Sequence, residues 1–268
     1  MMGNLDLTHE AGWRMLAPTQ NSQWPWDDFD ATRYWERNYL HLIDEDRQII
    51  DQVSRFFASI DLGPNLRALD VGTGANLYPA LLMLPFCRDV TLWEYSQSGV
   101  LWLKEHLLSH GELGSGTDEA WPWYPFWSVM RERPAYRVEP QARATLSRRA
   151  EVVHDSLFQL SRAVWDIGTM FFVAESMTAD LDEFNRALAC FFTALRPGAP
   201  FAMAFMEHST GYDVDGVPWP AVNIGQDELA RGIGSAAESL TITRIGVGPE
   251  PLRDGYTGML LAYGRSAR

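Results

Sequence analysis

The chain has 268 residues, 46% hydrophobic and 21% charged, the make-up of a globular protein with room for one large α/β domain with additions or two small ones. Its net charge of −13 argues against a nucleic-acid backbone or an anionic membrane as the main partner. No apolar run approaches the roughly 18 residues of a spanning helix, and residues 1–10 carry acids without the apolar core of a signal peptide, so a cytoplasmic location is expected.

In chain order, residues 1–28 read as irregular, with Trp24-Pro25-Trp26 as their one emphatic feature. A short helix is expected over 29–39 and a longer one over 44–59, where Ile49, Ile50, Val53, Phe56, Phe57 and Ile60 follow the helical period. Together, residues 1–62 read as an N-terminal helical cover and 63–268 as a ligand-binding domain. Gly63-Pro64-Asn65 leads into a strand from Leu66 that runs into the turn Asp70-Val71-Gly72-Thr73-Gly74, followed by a helix over 77–86. Strand 90–94, helix 98–108, strands 151–154 and 165–173, helix 180–195, strand 200–206 and helix 226–234 continue the alternation, and strands 240–247 and 257–264 close it. Repeated strand–helix units predict an α/β fold with a seven-stranded, mostly parallel sheet covered on both faces. The last strand has no helix before it, so it is expected to be antiparallel. Cys87 and Cys190 fall in apolar stretches read as helical and are expected as buried thiols, with no disulfide or metal site.

The stretch 109–149 breaks this rhythm, being too long for a plain connection. It carries Trp121, Trp123 and Trp127 within seven residues. An aromatic-rich lid or pocket wall is the expectation, and a surface excursion pinned by aromatics is the alternative.

A strand, a glycine turn and a helix N-terminus bring free N–H groups and a partial positive charge to a ligand. Glu94 ends the next strand about 20 residues on, the spacing of an acid that accepts from ribose hydroxyls. The dinucleotide fingerprint G-x-G-x-x-G has Leu77 at its third glycine, which weakens a nicotinamide-dependent oxidoreductase reading. Asp-x-Gly-x-Gly is the form found in class I S-adenosylmethionine methyltransferases.

In an open parallel sheet, ligands sit beyond the carboxyl ends of the strands. That rule selects Gly72, Thr73 and Gly74, then Glu94 and Tyr95, then Asp155, Ser156 and Leu157, then Glu175 and Ser176, and finally Glu207, His208 and Ser209. Glu94 suits ribose and Asp155 an adenine amino group, leaving Glu175 and Glu207 for the substrate, with His208 a weaker candidate beside them. Several acids in one crevice suit cationic ligands, and both a sulfonium cofactor and an amine substrate qualify. No nucleophile elbow, P-loop or Cys/His metal spacing is present in the sequence.

Phe29–Tyr39, Gly72-Thr73-Gly74-Ala75-Asn76-Leu77-Tyr78, Glu94-Tyr95-Ser96, Trp102-Leu103-Lys104 and Phe126-Trp127-Ser128 fall in one order. In that order the chain resembles the nicotinamide/phenylethanolamine/thioether S-methyltransferase family. The resemblance runs from about residue 29 to 212 and implies a Rossmann-like class I methyltransferase fold under an N-terminal helical cover. It implies S-adenosylmethionine as cofactor and a small-molecule acceptor. Tyr34 and Tyr39 would then close over the cofactor's amino-acid end, and Gly72, Thr73, Gly74, Asn76 and Tyr78 would line its amino acid and sugar. Glu94 would hold the ribose, Tyr95 would lie beside the adenine, and Asp155 and Ser156 would flank the base. Glu175 and Glu207 match catalytic acids and Tyr212 a substrate-side tyrosine; Trp24, Trp127, Phe171 and His208 join it as substrate-side candidates. The family's Asp-Tyr is Glu94-Tyr95 here and its following Asn is Gly99. N-methylation of an amine-bearing aromatic is the expected reaction, with C- or S-methylation of an indole-like or thioether metabolite as the alternative. Oligomeric state is not legible in the sequence.

Overall fold

The computed structural model describes residues 19–63, 65–108, 119, 121–246, 253 and 255–268. The start of the expected cover and the Gly/Ser loop 111–117 lie outside them. Two single 3-10 turns, Asn21–Gln23 and Trp26–Asp28, precede α1 (Ala31–Asn38), which Asp30 caps by accepting from the Arg33 N–H. Helix α2 (Asp44–Ser59) opens with Asp44, Glu45 and Asp46 against its positive end and buries Ile49, Ile50, Val53 and Phe57 on one stripe.

The alternation then follows: β1 (Leu66–Val71), α3 (Tyr78–Met83), β2 (Cys87–Glu94) and α4 (Gln97–Leu108). Three short helices come next, α5 (Tyr124–Met130), α6 (Pro134–Arg137) and α7 (Ala142–Arg149). They lead to β3 (Ala150–His154), β4 (Ile167–Phe171), α8 (Leu181–Ala194) and β5 (Pro200–Glu207). A hairpin of β6 (Tyr212–Val214) and β7 (Val217–Trp219), helix α9 (Gln226–Ile233), β8 (Ala237–Ile245) and β9 (Gly258–Ser266) complete the chain.

The seven-stranded sheet has the order β3-β2-β1-β4-β5-β9-β8. Strands β1 to β5 are mutually parallel, and β9, last in sequence, runs antiparallel between β5 and β8. The order reverses between β1 and β4, so their carboxyl ends open the crevice where ligands of such sheets bind. Strand alternation splits the core in two. Ala68, Ala202 and Ala204 face α2, α3 and the 121–149 segment, while Leu69, Phe201, Met203 and Phe205 face α8 and α9.

The structure corrects three expectations. Cys87 is not helical; it opens β2, whose first residues precede the expected start at 90. Cys190 is only partly buried on α8. The aromatic segment is no lid among the described residues: Trp123, Phe126, Trp127 and Tyr136 are almost wholly buried, and α5 packs on α2 and α3. Tyr136 donates to the Leu82 carbonyl at 2.8 Å. The hairpin β6–β7 was not expected, although Asp215-Gly216, both at positive φ, form its two-residue turn. Among the described residues, no helix is long and apolar enough to cross a membrane.

Candidate ligand-binding site

A cavity lies over the carboxyl ends of β1, β2 and β4, where ligands of such sheets bind. Its floor is the glycine turn. Gly72 has φ +62°, and a Cβ there would stand 2.6 Å from Cγ2 of Val173, beyond the end of β4. Only glycine allows that backbone path at so close an approach. Gly74 donates to Glu94 Oε2 at 2.8 Å and Ser96 donates to Oε1 at 2.7 Å, so both carboxylate oxygens are fixed at the cavity wall. Burial pushes the Glu94 carboxyl up, while the N–H bonds from Ser96 and Gly74 oppose it. Gly99 backs onto this acid: a Cβ there would lie 2.8 Å from Glu94 Cδ and 2.9 Å from Ser96 Oγ.

Thr73, Asn76, Tyr34 and Tyr39 line one end of the cavity, and Tyr95 and Asp155 the other. Asn76 Nδ2 donates to the Tyr39 hydroxyl at 3.1 Å, tying the α1 end to the turn. Burial holds the Tyr39 hydroxyl well above the usual tyrosine range, so it stays protonated as a donor. Asp155 is exposed and takes the Ser156 N–H at 2.7 Å.

The remaining wall is aromatic and comes largely from the segment before α1. Trp26 stacks on Trp219 of the hairpin at 4.8 Å, Phe29 meets Trp219 edge-on at 5.1 Å, and Tyr34 lies 5.2 Å from Phe29 and 6.3 Å from Tyr212. Backbone bonds hold this strap down: Asn21 N–H to Glu183 Oε2 at 2.7 Å, and Gln97 N–H to Asp27 Oδ1 at 2.8 Å. Phe171 and Tyr212 also line the cavity.

Other residues singled out in the sequence sit elsewhere, among them Ser209, whose hydroxyl donates to the Gly211 carbonyl at 3.3 Å. Tyr78 is fully buried and points the other way, its hydroxyl donating to Asp46 at 3.0 Å, because the first turn of α3 faces α2. Ser156 caps a 3-10 turn by accepting from Phe158 N–H, and Leu157 takes its place on the wall. Trp24 lies behind Trp26, 6.2 Å from Trp219. Trp127 is in the core against Tyr136. His208 is exposed with its Nδ1 on Asn223 Oδ1 at 3.0 Å, off the cavity.

Glu207 is bound by Arg244 Nε and Thr257 Oγ1, each at 2.6 Å. Burial opposes the charged form of Glu207, but these two donors outweigh it and hold the carboxyl below the usual range. It is not among the residues lining the cavity. Glu175 is wholly buried behind the wall. Its Oε1 accepts from Met206 N–H at 3.0 Å and from Ser176 Oγ at 3.1 Å, while Oε2 has no partner. Burial raises its carboxyl above the usual range, and Ser176 presents this acid to the cavity.

Sequence reading passed over Trp26, Phe29, Asn21 and Arg253. The Trp24-Pro25-Trp26 motif flagged the strap, but which indole faces inward depends on a 3-10 turn that leaves no periodic signal. For Arg253, in the loop between β8 and β9, no sequence signal existed.

No protein-family model matches the chain and no curated protein matches it. Solved structures do. The N-methyltransferase NodS from Bradyrhizobium japonicum, in complex with S-adenosyl-L-homocysteine, is 12% identical and matches over 89% of this chain and 100% of its own with a TM-score of 0.51. A SAM-dependent methyltransferase from Methanosarcina mazei is 13% identical over 77% of this chain and 95% of its own, also with a TM-score of 0.51. These likenesses define the fold as the Rossmann-like methyltransferase fold.

Proposed function

We propose that the chain is an S-adenosylmethionine-dependent methyltransferase acting on a small aromatic acceptor, with an amine nitrogen as the methylated atom. The observation that carries the reading is the Gly72–Gly74 turn locked to the Glu94 carboxylate at the switch point of the sheet. The wall fits the cofactor. Both Glu94 oxygens keep lone pairs for ribose hydroxyls, Tyr95 and Asp155 are in place for the adenine, and Tyr34, Tyr39, Thr73 and Asn76 line the end for its amino acid. The motif order read from Phe29 to Tyr212 supports the nicotinamide/phenylethanolamine/thioether S-methyltransferase family within that fold, and NodS, a neighbour of this topology, is an N-methyltransferase.

S-adenosylmethionine, when bound, supplies a methyl group activated by a sulfonium charge. The chain's own task is alignment, which lowers a displacement barrier by several kcal/mol. Tyr34, Tyr39 and Phe171 line the cavity, and the face of an aromatic ring attracts a sulfonium cation. Phe29, Trp26 and Tyr212 give a flat acceptor its place opposite. An amine must shed a proton, and the group in reach is Glu175. Ser176 takes the proton from the acceptor while passing its own to Glu175 Oε1, whose raised affinity suits a base. With Glu207 tied to Arg244, a thioether acceptor that needs no base is the second reading.

The test is binding and turnover together. Adenosylhomocysteine is expected to bind in the micromolar range and raise the Tm, and NADH to do neither. A shift with NADH alone ends the methyltransferase reading. Glu175→Gln is expected to lower turnover on the order of 10²-fold with cofactor affinity intact; full turnover moves the reading to the thioether.

A further inference from the structure

Arg253 is buried among described residues that belong to the acceptor side, and its hydrogen bonding is incomplete. Nη1 donates to Ser176 Oγ at 3.1 Å, and the guanidinium carbon lies 4.2 Å above the Tyr212 ring. Both residues line the main cavity. Nη2 is buried without a partner. Arg253 also lines a narrow recess that shares Tyr34 and Tyr212 with the main cavity. The other charges in that recess are Arg37 and Asp213, and these two engage each other, Arg37 Nη1 donating to the Asp213 carbonyl at 3.0 Å. Glu175 is separated from the guanidinium by Ser176, and its own Oε2 is unpartnered. A buried guanidinium N–H with no acceptor is unfavourable in a folded protein unless something supplies one.

We propose that the acceptor substrate carries a carboxylate that pairs with the Arg253 guanidinium at this edge of the main cavity while its aromatic ring lies against Tyr34 and Tyr212. This rests on the methyltransferase reading and names its substrate class: an aromatic acid that also carries the amine, rather than a simple amine. The cation is already oriented by its stack on Tyr212 and its bond to Ser176, so little freedom is lost on binding. The same Ser176 hydroxyl touches both Arg253 and Glu175, so the seated carboxylate fixes the acceptor's distance from the base.

Three probes sharing one ring and chain test this: 3-phenylpropionate, 3-phenylpropanamide and 3-phenylpropylamine, titrated by calorimetry into protein saturated with adenosylhomocysteine. The propionate is expected to bind roughly tenfold or more tightly than either other probe, the range of a charge-assisted hydrogen bond. Arg253→Met is expected to reduce the propionate to the level of the amide, leaving amide and adenosylhomocysteine affinity unchanged, and Arg253→Lys to keep part of the preference. Absence of an anionic preference in the native protein, including no measurable propionate binding, overturns the proposal without any variant. So does an Arg253→Met protein that loses adenosylhomocysteine instead, because Arg253 then serves the cofactor's own carboxylate. Failure of adenosylhomocysteine to bind the native protein counts against the methyltransferase reading alone, and the three probes on the free protein still decide the role of Arg253.

Discussion

Glu94 and Gly99 act on each other through space. Glutamate is one methylene longer than the aspartate of the resembled family, and Gly99 stands where that family has an asparagine. The structure makes these two departures one fact: the Glu94 side chain fills the space that a side chain at 99 would need. Gly99→Ala is therefore expected to weaken adenosylhomocysteine binding about tenfold by displacing the carboxylate. In a Glu94→Asp background the same change is expected to do much less. Calorimetry on the four proteins of the cycle checks this, and strictly additive losses would disprove the coupling. Glu94→Ala is expected to lose about 1.5–3 kcal/mol of cofactor binding. It should also lower stability, since Gly74 and Ser96 lose the acceptor of their N–H groups. The place of Glu94 on the cavity wall was legible because strand, turn and spacing are local. The fate of Glu207 was not: its partners Arg244 and Thr257 arrive from β8 and the loop before β9, 37 and 50 positions away.

Two aromatic segments compete for the role of cavity cover, and packing separates them. Trp127 is fully buried on α5, which packs on α2 and α3, whereas Trp26 is half-buried on the strap and lines the cavity. Trp127→Ala is expected to cost about 3–5 kcal/mol of stability in urea unfolding while the folded fraction binds adenosylhomocysteine normally. Trp26→Ala is expected to do the reverse. Losing the stack on Trp219 takes about 0.5–1.5 kcal/mol, and ligand affinity drops several-fold with only a small change in Tm. A stable Trp127→Ala protein with impaired binding would restore the lid. The periodicities that predicted the long helices and the alternation of strands with helices held because each such element buries a continuous face. The strap and hairpin escaped for the opposite reason. Strands of three residues and single 3-10 turns carry no period, although Asp215-Gly216 did advertise the hairpin turn. Aromatic richness announced that something was buried in 121–149 without saying that the core, rather than a ligand, buries it.

The molecule as a whole carries a net charge of −13, yet Asp46 and Asp70, like Glu175, are buried almost completely. Asp46 of α2 accepts from Tyr78 of α3 at 3.0 Å, and Asp70 of β1 accepts from Thr169 of β4 at 2.7 Å, its other oxygen unpartnered. Burial raises both carboxyls to about 7, against ordinary values near 4 in the unfolded chain. The folded state thus binds more protons than the unfolded one between about pH 4 and pH 7, so these two groups make stability fall as pH rises through that window. Glu207 works the other way. Its carboxyl is held low by Thr257 and Arg244, so its contribution is present above the unfolded value and is lost only as pH falls through the folded one. The opposing slopes meet near the unfolded carboxylate value, about pH 4, where these three groups together favour the folded state most. Asp46→Asn isolates the first slope, because asparagine keeps an oxygen for the Tyr78 hydroxyl and removes the charge. The Tm of Asp46→Asn relative to the native protein is expected to rise steadily as pH goes from about 5 to about 8, following the charging of the buried acid in the native protein alone. Scanning calorimetry across that range checks it. A difference that stays constant with pH would mean that Asp46 does not titrate there, and the slope would then belong to Asp70 or to the repulsion among the surface acids.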